Sequence, residues 1–271
     1  MGRIEDKFFQ LRSEQRAGLI AFLPVGFPTL QATPQVVKAM VAGGADIVEL
    51  GIPFSDPLAD GATIQRADHV ALSQGVTAKT CLNLSRALRS QGLQAPLVLM
   101  GYYNPILAMG VESFCQEAVH AGVDGVIVVD LPPEEADELL AACRASGLAL
   151  IFLLAPTSTP ERIKKVAERS SGFIYCVSLT GITGARNTLP LGLPEFIARV
   201  RKSTDVPLAV GFGISTREHV EEIGEYCDAA VVGSALVQVI EAASPENWET
   251  RAREYLEYLS GKRLPESAKT P

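Results

Sequence analysis

Eight apolar runs of strand length recur along the 271-residue chain: Leu19–Val25, Asp46–Gly51, Leu97–Tyr102, Gly125–Asp130, Leu148–Leu154, Phe173–Ser178, Pro207–Gly211 and Ala229–Gly233. Rich in Val, Ile, Leu and Phe, they are nearly continuous rather than alternating. Continuous apolarity marks strands covered on both faces, as in a parallel sheet. Between the runs, apolar positions step by three and four, most clearly over Val111–Ala121 and Glu134–Ser146, which predicts amphipathic helices there. Helix-end signals agree: Ser215-Thr-Arg-Glu218 reads as a capping box and Gly147 as a C-cap. The pattern also predicts a helix over Ile4–Arg16 that covers the bottom of the sheet, a closing helix over Trp248–Leu259, and a frayed tail from Ser260.

Three runs begin alike, through Gly-Ala-Asp46-Ile-Val, Gly-Val-Asp124-Gly-Val-Ile and Tyr-Cys-Asp228-Ala-Ala-Val. This is a weak internal repeat of a helix–turn–strand unit. No composition break or linker interrupts the series, so the pattern predicts a (β/α)8 TIM barrel, a single domain over residues 1–271 with an extra N-terminal helix within residues 1–17. The alternative is a doubly wound open sheet, which carries a glycine fingerprint after its first strand. Here the first turn is Pro24-Val-Gly-Phe-Pro28, which is no dinucleotide motif.

Composition narrows the function by exclusion. The chain is 47% hydrophobic and 20% charged, an ordinary globular balance, and its net charge of −7 argues against a nucleic-acid or anionic-membrane surface. No apolar run approaches the roughly 18 residues of a membrane span. The polar start Met1–Lys7 lacks the apolar centre of a secretory signal. Cysteines 81, 115, 143, 176 and 227 form no C-x-x-C pair and read as small buried hydrophobes in a reducing, cytoplasmic compartment. His69, His120 and His219 have no metal-ligand spacing and read as surface or helix residues, so no metal is expected.

The richest stretch is Glu49-Leu-Gly-Ile-Pro-Phe-Ser-Asp-Pro-Leu-Ala-Asp-Gly61. Glu49 ends an apolar run, where an unpaired charge is expensive to bury, and Asp60 follows in a loop punctuated by Pro and Gly. Such a pair suits acid–base work. The competing reading is a core ion pair at Glu49 and a simple helix cap at Asp60. Three late strand ends carry glycine: Thr180–Gly184, Gly211–Ser215 and Gly233-Ser234. Each alone suits a tight turn. Together they lie where many α/β barrels bind phosphate, with backbone N–H groups and a helix N-terminus facing the anion. No Lys or Arg adjoins Gly213 or Gly233, so such a cradle consists mainly of neutral amides and the Ser234 hydroxyl.

With these motifs assembled, the chain resembles the α subunit of tryptophan synthase from about Phe8 to Ile240. The resemblance is carried by Phe22–Pro28, Glu49–Gly61, Tyr102-Tyr-Asn-Pro105, Asp130-Leu-Pro132, Thr180–Arg186, Gly211-Phe-Gly213 and Gly233-Ser-Ala235. Two positions depart from the family pattern: Ala62 stands where Pro is usual and Gly101 where Thr is frequent. The resemblance implies cleavage of indole-3-glycerol phosphate to indole and glyceraldehyde 3-phosphate, a reverse aldol reaction. It implies Glu49 as the acid–base residue and Asp60 as an ionised partner of the indole N–H. Tyr175 falls near the glycerol moiety, and Thr183 on a loop that closes over Asp60. Gly184, Gly213, Gly233 and Ser234 would hold the phosphate. Phe22, Met100, Ile127 and Phe212 would line the indole slot, although strand residues of this kind are buried in any barrel core. Asp56, Pro57, Tyr103, Asn104 and Pro105 fall on the face that docks a β subunit in an α2β2 assembly. The pyridoxal phosphate of the joined reaction belongs to that β subunit, and the α subunit itself carries no cofactor. A stand-alone lyase that releases free indole and a non-catalytic phosphate-binding barrel are the alternatives.

Overall fold

The computed structural model describes residues 2–177, 189, 192–211 and 213–262. The apolar runs form strands β1 (Gly18–Pro24), β2 (Ile47–Gly51), β3 (Leu97–Gly101), β4 (Gly125–Val128), β5 (Ala149–Ile151), β6 (Leu153–Leu154), β7 (Ile174–Val177), β8 (Leu208–Gly211) and β9 (Ala229–Val232). Every pairing is parallel, in the order β5-β4-β3-β2-β1-β9-β8-β7-β6. The two outer strands are pieces of one apolar run, interrupted at Phe152, so the chain itself closes the ring. Nine segments therefore make the eight staves expected of a TIM barrel.

Side-chain alternation divides the core in two. One face of the strands packs outward against the helices. The other face, including Ile20, Ile47, Val98, Ile127, Ile151 and Tyr175, fills the barrel interior. The N-terminal helix spans Arg3–Ser13 and inserts Ile4, Phe8 and Leu11 into that interior cluster from below. The Phe8 ring lies 6.0 Å from that of Phe173.

The three aspartates of the repeat explain how strands and plug are fixed. Each accepts the backbone N–H of the neighbouring strand's start: Leu19 to Asp46 at 3.0 Å, Leu97 to Asp124 at 2.8 Å and Leu208 to Asp228 at 2.8 Å. Each also pairs with an arginine: Arg16 with Asp46, Arg89 with Asp124 and Arg201 with Asp228. A cation from the N-terminal helix completes each group: Lys7 at 3.9 Å from Asp46, Arg3 at 2.9 Å from Asp124 and Arg12 at 3.6 Å from Asp228. The sequence repeat is thus a repeated ion-pair device at the barrel's lower rim.

Several boundaries differ from the pattern. The helix expected from Glu134 starts at Asp137, because the Pro132 carbonyl takes the Glu135 N–H in a turn. In place of the capping box expected at Ser215, a simple N-cap lies one residue on: Thr216 caps the helix Arg217–Gly224 and accepts from the His219 N–H. His219 is accordingly buried in that helix, not at the surface, and its Nδ1 accepts the Ser215 N–H at 3.4 Å. Gly147 is the expected left-handed C-cap, with φ 75°. The helix Trp248–Leu259 packs on the helix Thr33–Gly43, and the Ser260 hydroxyl donates to the Gly43 carbonyl at 3.0 Å, so the chain is still anchored where fraying was expected to begin. Residues 263–271 lie outside the described residues. All five cysteines are free and buried, and among the described residues no helix is long and apolar enough to cross a membrane.

Candidate active site

Alternation along β2 sends Glu49 to the same inward face as Ile47, one pleat nearer the C-terminal end of the barrel. Its register neighbours are Phe22 on β1 and Val98 on β3. The residue is fully buried, and neither carboxyl oxygen has a hydrogen-bond partner among the described residues. Burial alone pushes its pKa from 4.5 up to about 8, since removing water penalises the charged form. Among the described residues Glu49 has no ion-pair partner, which disfavours the core-ion-pair reading, and burial favours its protonated form at neutral pH.

Asp60 is no helix cap either. Gly61 is the N-cap of the helix Ala62–Ser73, and the Asp60 carboxylate instead accepts the Tyr102 hydroxyl at 2.7 Å. The same hydroxyl accepts the Ala59 N–H at 3.0 Å, and the Tyr102 ring stacks on Phe54 with centroids 4.9 Å apart. Burial raises the Asp60 pKa and the Tyr102 hydrogen bond opposes that rise. Behind it, Asp68 on the helix Ala62–Ser73 is buried, its pKa pushed up to about 8 by burial and by the charge of Asp60.

Tyr175 lies inside the barrel within electrostatic reach of both Glu49 and Asp60, and burial holds its hydroxyl far above the usual phenol range. Its hydroxyl presses on β8: a Cβ at Gly211 would stand 2.0 Å from it. Phe22 fills the equivalent space elsewhere, where Cβ atoms at Gly51 and Gly233 would stand 2.8 Å and 3.4 Å from its ring. Met100 is half-buried beside Gly51 and Ile127 in the strand register, whereas Ile127 is fully buried in the interior cluster. The structure thus brings Glu49, Tyr175, Phe22 and Met100 to one end of the barrel, with Asp60 reaching in from its loop. Thr183, Gly184 and Phe212 lie outside the described residues.

On the opposite side of this end, Gly213 has φ +82°, a conformation that favours glycine, and nothing stands within 4 Å of the space a Cβ would take. Tyr255 donates to the Ser215 carbonyl at 2.8 Å and steadies this loop. Gly233 is the N-cap of the helix Ser234–Glu241, whose first turn carries Ser234. That helix is tied to the helix after Asp60 by Gln238 to Thr63 at 3.2 Å and Arg66 to Glu241 at 3.0 Å. The two halves of the candidate site are therefore braced against each other.

The surface beside Asp60 is open. Asp56 is exposed and accepts the Ser55 hydroxyl at 2.6 Å, Pro57 is half-buried, and Leu58 is 94% exposed. Tyr103, Asn104 and Pro105 begin the helix Tyr103–Met109, whose start is fixed by the Tyr103 N–H donating to Asp130 at 2.8 Å. Leu107 on that helix is exposed as well. Sequence reasoning missed the Tyr102–Asp60 bond, the burial of Asp68 and the exposed Leu58. Only a carboxylate in the otherwise apolar step Ala67-Asp68 hinted at the second. Of the two departures, Ala62 is the exposed first residue of its helix. At Gly101 a Cβ would stand 3.0 Å from that of Ile52, so the small residue suits this packing. Among the described residues no group of His, Cys, Asp and Glu is arranged to hold a metal ion.

Comparison with known proteins agrees with this arrangement. The family model described as tryptophan synthase alpha chain matches residues 8–263. The tryptophan synthase alpha chain of Roseiflexus sp. (strain RS-1) is 51% identical over 261 residues, covering 96% of this chain and 100% of that protein. That of Methanosarcina mazei is 48% identical over 255 residues, covering 93% and 92%. Among solved structures, Mycobacterium tuberculosis tryptophan synthase superposes with a TM-score of 0.88 at 39% identity, covering 96% of this chain and 97% of that one. The alpha chain from Legionella pneumophila gives 0.89 at 34% identity, with 99% of each chain covered. Family model, relatives and fold agree over nearly the whole length, and the chain belongs to the tryptophan synthase alpha chain family.

Proposed function

We propose that this site cleaves indole-3-glycerol phosphate into indole and glyceraldehyde 3-phosphate, the alpha step of tryptophan biosynthesis. The observation that carries the reading is Glu49, a buried carboxyl with no hydrogen-bond partner among the described residues and a pKa raised to about 8. Breaking the bond between the ring and the glycerol chain needs a proton at indole C3, which leaves an indoleninium cation. The hydroxyl on the adjoining glycerol carbon loses its proton as that carbon becomes the aldehyde, and the bonding electrons return to the ring. One proton is taken up and one released. Glu49 is positioned to deliver the first as a neutral acid and, once ionised, to accept the second. Asp60 faces the growing positive charge on the ring, where a carboxylate is worth more than in the ground state. The unlike environments of the two acids support unlike roles.

Phe22, Met100 and Ile127, together with Phe212, form the apolar slot in this reading, with Tyr175 against the glycerol chain. Gly213, Gly233 and Ser234, with Gly184, take the phosphate through backbone amides and the Ser234 hydroxyl, aided by the N-terminus of the helix Ser234–Glu241. Thr183, outside the described residues, is proposed to act beside Asp60. Side-chain acids suffice for both proton transfers, so no metal or organic cofactor is called for. The partner is a beta subunit, which carries pyridoxal phosphate and consumes the indole, in an α2β2 assembly in the cytoplasm. Leu58, 94% exposed beside Asp56 and Pro57, supports a docking surface here over a stand-alone lyase. The test is product formation: the purified chain, with a beta subunit added, should convert indole-3-glycerol phosphate to equimolar indole and glyceraldehyde 3-phosphate. Binding without turnover under both conditions would contradict the reading and favour a non-catalytic phosphate-binding barrel.

A further inference from the structure

Two of the five buried cysteines meet. Cys115 lies on the helix Val111–His120 and Cys143 on the helix Asp137–Ser146, and these helices pack against each other outside the strands. Their sulfurs stand 3.7 Å apart and share a hydrogen bond, although 28 residues separate them along the chain. Among the described residues no other two cysteine sulfurs are joined in this way; the Cys227 thiol donates to the Leu208 carbonyl at 2.9 Å instead. The neighbouring inward positions of the two helices, among them Phe114, Ala118, Leu139 and Ala142, are plain apolar residues. The thiols are thus a reactive pair in an otherwise inert layer. The chain between them contains β4 and Asp130, whose carboxylate accepts the Tyr103 N–H at the start of the helix Tyr103–Met109. A bond between the sulfurs would close a covalent loop around one stave of the barrel.

We propose that Cys115 and Cys143 are a redox-active thiol pair, which hydrogen peroxide converts to a disulfide that staples the two helices together. The sulfurs are already in contact, so rotation about the Cα–Cβ bonds suffices to bring them to bonding distance. Hydrogen peroxide is small and uncharged, which suits a buried apolar site. Thiolates, not thiols, attack peroxide. The hydrogen bond from Cys143 holds the Cys115 thiol below the usual range, while the same bond and burial push Cys143 up. Cys115 is therefore the sulfur that reacts first. It attacks one peroxide oxygen, the O–O bond breaks, a sulfenic acid forms on Cys115 and one water leaves. The Cys143 sulfur then attacks the Cys115 sulfur, the S–S bond forms and the sulfenic oxygen leaves as a second water. Two thiols thus give up two electrons and two protons to one hydrogen peroxide, yielding one disulfide and two waters. A dithiol reductant reverses the change, so the reduced pair is the resting form in a reducing compartment.

The test treats the folded full-length chain with excess hydrogen peroxide at pH 7, denatures it in an alkylating reagent and maps the peptides by mass spectrometry. Two of the five thiols should escape alkylation, and one cross-linked peptide pair, lighter by two hydrogens, should carry Cys115 and Cys143. Dithiothreitol should restore all five. A closed loop restricts the unfolded chain, so the bridged protein should unfold at a higher urea concentration than the reduced one. In Cys143→Ala the cross-link should vanish and Cys115 should gain oxygen instead, as a sulfenic or sulfinic acid. Five alkylatable thiols after treatment would overturn the proposal. So would a bridge between any other cysteines or between two chains, a bridge that forms only in urea, or a lower urea midpoint for the bridged chain. Should Cys143→Ala fail to fold, the peptide map of the wild-type chain decides by itself.

Discussion

Among single residues, the proposed chemistry depends on keeping a carboxylic acid neutral at pH 7. Glu49 achieves this by burial, with no hydrogen-bond partner among the described residues, and that arrangement has a stability signature. Its pKa is 4.5 in an unstructured chain and about 8 in the folded one. Between those limits the native state holds a proton that the unfolded state has lost. Stability attributable to this group is therefore intact below pH 4.5 and lost as pH rises toward about 8, at about 1.4 kcal/mol per pH unit. Glu49→Gln cannot titrate, so its stability relative to wild type should grow from pH 5 to pH 8 in urea unfolding. A constant difference across that range would show that Glu49 is ionised in the fold. Asp60 offers the complementary residue-level test. Asp60→Asn keeps the shape and the bond from Tyr102 but removes the charge that, in the proposed cleavage, faces the indoleninium cation. Its kcat should fall by at least about tenfold with KM little changed, because the charge matters most in the transition state. Raised KM at unchanged kcat would make Asp60 a ground-state contact.

At the scale of elements, the barrel gives its mouth room by omitting side chains. Gly211 leaves space for the Tyr175 hydroxyl and Gly51 for the Phe22 ring. Gly211→Ala would set a Cβ 2.0 Å from the Tyr175 hydroxyl and force the ring aside. We expect it to destabilise the fold by about 1–3 kcal/mol, the usual cost of overpacking, and to impair cleavage. Tyr175→Leu, which shortens the obstructing side chain, should cost less in the Gly211→Ala background than in the wild type. Additive losses in a double-mutant cycle of unfolding free energies would show that the two positions do not compete for the same space.

The same scale shows what was legible in the sequence. Continuous apolar runs marked all eight staves, because strands covered on both faces leave no polar positions to confuse the pattern. Strand ends and helix starts were less legible. Phe152 breaks its run in two, and the turn at Pro132 delays the next helix to Asp137. These depend on hydrogen bonds that the apolar pattern does not encode. The acid pair was visible as Glu49 and Asp60, since a carboxylate at the end of an apolar run is conspicuous. The supporting partner was not, because Tyr102 meets the Asp60 loop from an element far along the chain. The three aspartates that begin strands showed only as a repeat. Their pairing with Arg16, Arg89, Arg201 and the N-terminal helix depends on the ring closing.

At the scale of the whole molecule, the barrel separates stability from chemistry. Ion pairs and the helical plug secure the lower rim, while the acids and glycines gather at the other end, on loops whose order a partner can influence. Asp56 and Leu58 share their loop with Asp60, so in the proposed assembly an occupant docked there would bias the Asp60 carboxylate directly. A beta subunit should therefore accelerate cleavage, and Asp56→Ala should reduce that acceleration while the slow rate of the isolated chain stays within about twofold. Titrating the initial rate with beta subunit measures both quantities. An isolated chain at full activity, indifferent to the partner, would favour the stand-alone lyase.

The claim on which the rest depends is that Glu49 supplies the proton that breaks the bond. Steady-state release of indole from indole-3-glycerol phosphate, measured for Glu49→Gln and wild type with saturating beta subunit, tests it most directly. The substitution keeps the buried shape and removes the transferable proton. The kcat of Glu49→Gln should be lowered by at least about 100-fold, the usual contribution of general acid–base catalysis, with native unfolding behaviour and unchanged affinity for glycerol phosphate. A correctly folded Glu49→Gln chain with kcat within about tenfold of wild type would contradict it.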